Sequence, residues 1–269
     1  MMSKIENANI MDKWILSATQ SLIKYVRAEM ESYKLYMVVR PLLSFLEKLS
    51  NWYVRLNKKR MKGDEGNLEQ QRSLNVLFEV LHNTNVLMAS ITPFITEHMY
   101  QNMRNGISEA DEHLKAPSIH FLQIPEVDES RIDKHIEEKI ARMQSAIENG
   151  RLIRDRNNIS LKTPLSKVIL VDADQQNLQD YMDVKQYILE ELNCLDIAFE
   201  HDEDEYVNYK CDPDNKEIGS VLKKKYDKAF KTEISNLSSG RLREYLKNGF
   251  IMMGDIKIEN GWLKVEKIF

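Results

Sequence analysis

Apolar and polar positions alternate at helical spacing through the first half of the chain. Ile15, Leu16, Leu22, Ile23, Val26 and Met30 recur on one face, which predicts a first helix with Asn9 or Asp12 as its N-cap. Val38, Leu42, Phe45, Leu49, Trp52 and Leu56 then step by four and three, the mark of a narrow apolar stripe on a second helix. Ser44, Lys48, Asn51, Arg55, Lys58 and Lys62 keep the same rhythm one residue earlier, so a polar stripe runs beside the apolar one. Pro41 is expected to kink this helix or to mark its start. Gly63-Asp64-Glu65-Gly66 closes it as a loop. A third helix is expected from near Leu68, with Leu74, Leu77, Val80, Leu81, Val86 and Leu87 on it, until Pro93 breaks it. A short helix should run from Phe94 to about Met103, and Ser118–Pro125 reads as an extended connection. A long helix is predicted from Asp128 to Arg154, with Ile132, Ile136, Ile140, Met143 and Ile147 on one face. Helices joined in this way predict an antiparallel bundle.

The pattern changes after Asn157. Val168-Ile169-Leu170-Val171 is a β-branched run fit for a buried strand, Leu178–Leu192 reads as a helix, and Asp196–Phe199 as a second strand. That order predicts a small α/β unit with a right-handed crossover. Beyond an acidic loop at 200–205, Tyr206–Cys211 is a candidate strand. Residues 216–247 hold nine Lys/Arg against four Asp/Glu and read mostly as two helices. Phe250–Met253, Ile256–Ile258 and Trp262–Val265 look strand-like. The expected fold is mainly α, a helical bundle over residues 1–156 followed by a small mixed α/β domain over 157–269.

Composition narrows the function classes. At 269 residues, 42% hydrophobic and 30% charged, the chain can bury a core while keeping a polar surface. A net charge of −4 argues against a tail-driven nucleic-acid binder and leaves room for a local basic footprint. The two cysteines, Cys194 and Cys211, have no CxxC spacing, which fits a reducing compartment and offers no zinc signature. No apolar run is long enough to span a membrane and the N-terminus has no signal-peptide core, so a cytoplasmic protein without membrane partner is expected.

Enzyme signatures are missing. GxGxxG, GxxxxGK[ST], HExxH and GxSxG do not occur, the six histidines have no ligand spacing, and no acid/base pair stands out. The chemistry concentrates instead at Asn51–Gly63, where Arg55, Lys58, Lys59, Arg60 and Lys62 bring five cations and no acid. Asn51 and Arg55, four apart, share a helix face. An amide, an aromatic, a guanidinium and a cationic tail on one helix are groups that contact unstacked bases and phosphates. An alternative stays open, in which Trp52 and Tyr53 are core and the cations a solvated face. A second run, Arg151, Arg154 and Arg156 leading to Lys162, ends a helix, where cations also suit the macrodipole.

Six pieces of sequence, in order, resemble isoleucine–tRNA ligases of the eukaryotic cytoplasmic type. Met11–Ser17 is similar to the segment that opens their anticodon-binding domain. Tyr33–Tyr36, Asn51–Arg55, Thr92–Glu97, Ser118–Phe121 and Asn158–Leu165 continue the match over nearly the whole chain. The class I signatures HIGH and KMSKS, the editing domain and a cysteine-rich zinc segment are absent. Lys58-Lys59-Arg60 replaces a more arginine-rich run, and Arg40-Pro41 inverts the usual order.

The resemblance implies a class Ia synthetase-type antiparallel helical bundle with a small α/β domain, cut from the C-terminal part of a longer ligase. The parent would use ATP and Mg to charge tRNA(Ile) with isoleucine. This stretch would need no cofactor, carry no catalytic residue or metal, and hold the anticodon end of the RNA. Asn51 and Arg55 would read or brace bases with Trp52 stacking or supporting. Lys58, Lys59, Arg60 and Lys62 would meet phosphates, and Arg151, Arg154, Arg156 and Lys162 would add a second contact. The solvated face of Lys223, Lys224, Lys225 and Lys228 is the simpler reading of that run. Two rivals remain: a sister synthetase for valine or leucine, and a helical protein-interaction scaffold, for instance in a multi-synthetase assembly. The apolar residues all fall on one-sided stripes, which weighs against the scaffold.

Overall fold

In a computed structural model, which describes residues 9–107, 112, 114–202, 206, 208–222, 228–254 and 256–268, the apolar stripes become buried helix faces. Helix α1 (Ile10–Glu31) starts at Asn9, whose side chain accepts from the Met11 amide at 2.8 Å. Asp12, the other candidate cap, lies inside the first turn and is buried. Helix α1 packs against α2 (Leu35–Lys48), α4 (Asn67–Met88) and α6 (Lys134–Arg156), so it forms the axis of the bundle. Its Met11, Ile15, Ile23 and Val26 are fully buried. Pro41 does not start α2; it sits inside it, where it removes one amide donor. A short α3 (Lys58–Lys62) ends at Gly63 with φ 88°, the left-handed geometry that glycine adopts without strain.

Helix α5 (Pro93–Met103) begins with its proline in the first turn, the place where a missing N–H costs nothing. The connection after it is not extended throughout. Ile119–Phe121 forms a single 3-10 turn, capped by Ser118 and braced by Glu97, which accepts from the Ser118 hydroxyl and the Ile119 amide. The long helix starts later than its apolar spacing predicts, because Asp133 caps α6 through the Ile136 amide after a 3-10 turn at Glu129–Arg131.

The stretch that reads as one helix over 178–192 is two, α7 (Gln175–Asp183) and α8 (Lys185–Leu192). The compact units are residues 1–167 with 179–196, and residues 168–178 with 197–269. They differ from the expected division at 156, chiefly because α8 packs on α6. Gly150 of α6 permits that approach: a Cβ there would lie 2.7 Å from Leu192, which is buried.

In the second unit β1 (Val168–Val171) pairs parallel with β2 (Ile197–Glu200), Val168 opposite Ile197. β3 (Asn208–Pro213) pairs antiparallel with β6 (Leu263–Ile268), and β4 (Phe250–Met253) with β5 (Ile256–Glu259). The basic segment carries three helices among the described residues, α9 (Asn215–Leu222), α10 (Lys228–Ser235) and α11 (Ser239–Asn248). Ile218, Ile234, Leu242, Ile251 and Ile258 close the core of this unit. Lys223, Lys224 and Lys225 lie outside the described residues; Lys228 is exposed.

Candidate nucleic-acid interface

Between α2 and α3 the backbone changes pitch. Leu49–Val54 is a π-helical stretch, whose i to i+5 bonding adds a residue to the turn and shifts the phase of the residues after it. Before it, Val38, Leu42, Phe45 and Leu49 face inward. After it the inward line runs through Tyr53, Asn57 and Arg60, while Trp52 and Leu56 stay half-buried. The polar stripe survives the shift, since Asn51, Arg55, Lys58 and Lys62 are all exposed, as is Lys59.

The inner face is a buried polar network. Arg60 donates to both carboxylate oxygens of Asp12 (3.0 and 2.8 Å), to Glu69 through Nε and Nη2 (3.1 and 2.8 Å), and to the Asn57 side-chain oxygen at 2.6 Å. These five bonds use all five guanidinium donors. Burial alone would lower the pKa of Arg60, but the bonds and charges of Asp12 and Glu69 outweigh it and hold the group firmly protonated. The Tyr53 hydroxyl donates to Asp12 at 2.8 Å; burial, then the Asp12 charge, push its pKa far above the usual tyrosine range. Arg72 and then Arg60 hold the Glu69 carboxyl below the ordinary glutamate range. Arg60, expected to meet phosphate, is therefore enclosed and fully committed. Its spacing from Tyr53 and Asn57, seven and three residues, is the signal that marks this face.

The outer face is engaged differently. Arg55 donates from Nε and Nη2 to the two oxygens of Glu191 at 3.2 and 2.9 Å, and Arg151 donates to the same carboxylate. The Arg151 guanidinium also lies over the Trp52 ring, 5.8 Å from its centroid. Lys59 is 3.4 Å from Glu190. The structure thus joins two sequence-distant runs, Asn51–Lys62 and Arg151, through two acids of α8. In sequence, Glu190 and Glu191 look like ordinary acids on a solvated helix, and nothing local marks them for this role. Lys58 and Lys62 have no ion pair among the described residues.

Arg154 is a second correction. It is buried, and its guanidinium donates to the carbonyls of Leu192 (3.1 Å), Thr163 (2.5 Å) and Ser160, tying the 158–165 segment to α6 and α8. Phosphate cannot reach it. Arg156 and Lys162 are exposed.

Lys139 and Arg142 similarly pair with the buried Asp180; burial raises its pKa, but these two cations outweigh that and lower it. Of the histidines, His82 is buried beside the Tyr100 ring and His135 lies 3.4 Å from Asp180, while His113 is outside the described residues. Among the described residues no group of three His, Cys, Asp or Glu is placed to hold a metal, and no helix is long and apolar enough to cross a membrane.

The one-sided stripes leave some apolar groups unaccounted for. Tyr33, Leu35, Tyr36 and Leu43 are exposed around the α1–α2 turn, Tyr33 at 92%.

The sequence that carries this helix matches a known family. The sequence profile described as the anticodon-binding domain of tRNA ligase fits residues 12–169, more than half of the chain. The chain belongs to that family. It is 42% identical over 243 residues, 90% of its length, to a probable cytoplasmic isoleucine–tRNA ligase of Dictyostelium discoideum. To the cytoplasmic isoleucine–tRNA ligases of Saccharomyces cerevisiae and Mus musculus it is 39% and 41% identical over 96% and 92% of its length. It spans only 22%, 24% and 20% of these three relatives. Asp12, the 51–62 segment and Arg151 all fall inside the region that matches this anticodon-binding family.

Proposed function

We propose that this chain is the anticodon-holding part of a cytoplasmic isoleucine–tRNA ligase and that its partner is tRNA(Ile). The observation that carries the reading is the exposed face of the Asn51–Lys62 segment, set on a π turn within the matched family region. Asn51 and Arg55 meet unstacked anticodon bases, with Trp52 supporting from beneath through Arg151. Lys58, Lys59 and Lys62 meet phosphates, which add affinity without sequence choice, and Arg156 and Lys162 extend that footprint. Arg60 and Arg154 are removed from the contact set by their burial. In this reading ATP and Mg act in the remainder of the parent ligase, and the RNA is held here while isoleucine is attached at its other end.

The names of the relatives favour isoleucine over the sister specificities for valine and leucine. A protein-docking role, as within a multi-synthetase assembly, is a second reading, favoured by the exposed Tyr33, Leu35, Tyr36 and Leu43.

The test is a titration of the 269-residue chain with a tRNA(Ile) transcript and a copy with an altered anticodon, over a salt series. Preference for the native anticodon, with affinity falling steeply in salt, is expected. Equal affinity for the two would reduce the face to a phosphate contact. No binding at low salt would move the weight to the docking role.

A further inference from the structure

The two acids of α8 sit against the cations of the outer face. Arg55 offers its Nε–Nη2 edge to Glu191, and that fork is the geometry by which a guanidinium grips carboxylate and phosphate alike. The same carboxylate also holds Arg151, and Glu190 holds Lys59. The Glu191 side chain is 12% exposed and is fixed by two partners, whereas those of Arg55 and Lys59 are 54% and 68% exposed. Three cations of the candidate interface are therefore already occupied by carboxylates carried on a neighbouring helix.

We propose that Glu190 and Glu191 are specificity-determining residues: Glu191 orients the base-meeting Arg55, and the two acids compete with RNA phosphate for Arg151 and Lys59. The proposal rests on the anticodon-holding reading. A nucleic acid whose bases do not fit the outer face must displace the carboxylates for its phosphates alone and gains little. An anticodon loop that also engages Asn51 and Arg55 recovers the loss through its bases. Discrimination then arises partly from penalising the wrong ligand, as well as from rewarding the right one.

The test compares the whole chain with Glu191→Gln and Glu190→Gln on three probes: the native tRNA(Ile) transcript, the altered-anticodon copy and a poly(U) oligonucleotide. Each glutamine keeps the side-chain shape and removes one charge. E191Q is expected to bind poly(U) and the altered tRNA about fivefold tighter, the top of the range for an ion pair near the surface. The slope of log affinity on log salt should steepen by roughly 0.7 for the newly freed contact. The native transcript should gain less, so the ratio between the two tRNAs falls. E190Q should move in the same direction by about twofold. Its carboxylate is half exposed, with Lys59 on one oxygen and the Gln186 amide on the other, so it keeps the test informative should E191Q fold poorly.

Equal weakening on all three probes would overturn the proposal and make the acids structural braces. Unchanged affinities would overturn it as well. Wild-type chain that does not distinguish the two tRNAs overturns the anticodon reading on its own. The poly(U) arm still decides the competition in that case, since tightening supports it and no tightening overturns it.

Discussion

Arg55 and Arg60 stand five residues apart in one cationic run, yet they belong to different parts of the molecule. Arg60 is enclosed, with every donor spent on Asp12, Asn57 and Glu69. Arg55 is half exposed and holds a single carboxylate, shared with Arg151, on the open side of the helix. The difference comes from the π stretch at Leu49–Val54, which turns Tyr53, Asn57 and Arg60 inward and leaves Asn51, Arg55, Lys58, Lys59 and Lys62 on the outside. Local charge density thus does not distinguish a binding cation from a structural one. The accessibility of the guanidinium and the commitment of its donors do.

The largest effect should come from the inner face. Arg60→Met leaves Asp12 buried without its partner, and loss of one side of such a pair costs about 3–5 kcal/mol. A denaturant melt should show it, and a near-wild-type midpoint would contradict the inner role. Arg154→Ala comes next, at about 2 kcal/mol, because it strips a charged donor from three carbonyls. Its melt should shift without any change in the ratio of affinities for the two tRNAs.

Acid tests the inner face further. Arg72 and Arg60 depress the Glu69 pKa, so the stability it contributes is present above the ordinary glutamate range and is lost as pH falls through its folded value. Thermal melts of wild type and Glu69→Gln should differ at about pH 7, and the gap should begin to close only as pH falls below the ordinary glutamate range. A gap between the melts that does not shrink at all between about pH 7 and 3 would show that the charge of Glu69 does not matter to the inner network.

The smallest effects on stability, and the sharpest on function, belong to the outer face. Arg55→Ala should lower the preference for the native anticodon by about 1 kcal/mol while leaving the melt nearly unchanged. Lys59→Ala should weaken both tRNAs alike and flatten the salt slope by roughly 0.7. Identical behaviour of the two variants would erase the division between base-reading and phosphate-binding groups.

Much of the bundle was legible in the sequence, because α1 and α6 bury stripes that repeat at helical spacing; in α4 the buried line runs through Ser73, Val76 and Val80 and leaves the expected Leu74 exposed. The polar stripe Ser44 to Lys62 was legible for the same reason and is exposed along its length. The π stretch was not, since one extra residue in a turn leaves the apolar count intact and only shifts its phase. Adjacency groups Arg60 with Lys58 and Lys59, although Tyr53, Asn57 and Arg60 trace a polar line of their own. Asp12 reads as a cap because nothing local reveals that its partner lies 48 residues on. The split between α7 and α8, and the position of Glu190 and Glu191 against the cationic run, depend on the long-range packing of α8 on α6, which no local pattern encodes.

The most direct measurement is lysine acetylation footprinting of the chain with and without the tRNA(Ile) transcript. Protection of Lys58, Lys59 and Lys62 on binding, with Lys24 and Lys264 unchanged, is the predicted result. Protection confined to lysines away from the 51–62 segment would contradict the assignment of that exposed face to RNA.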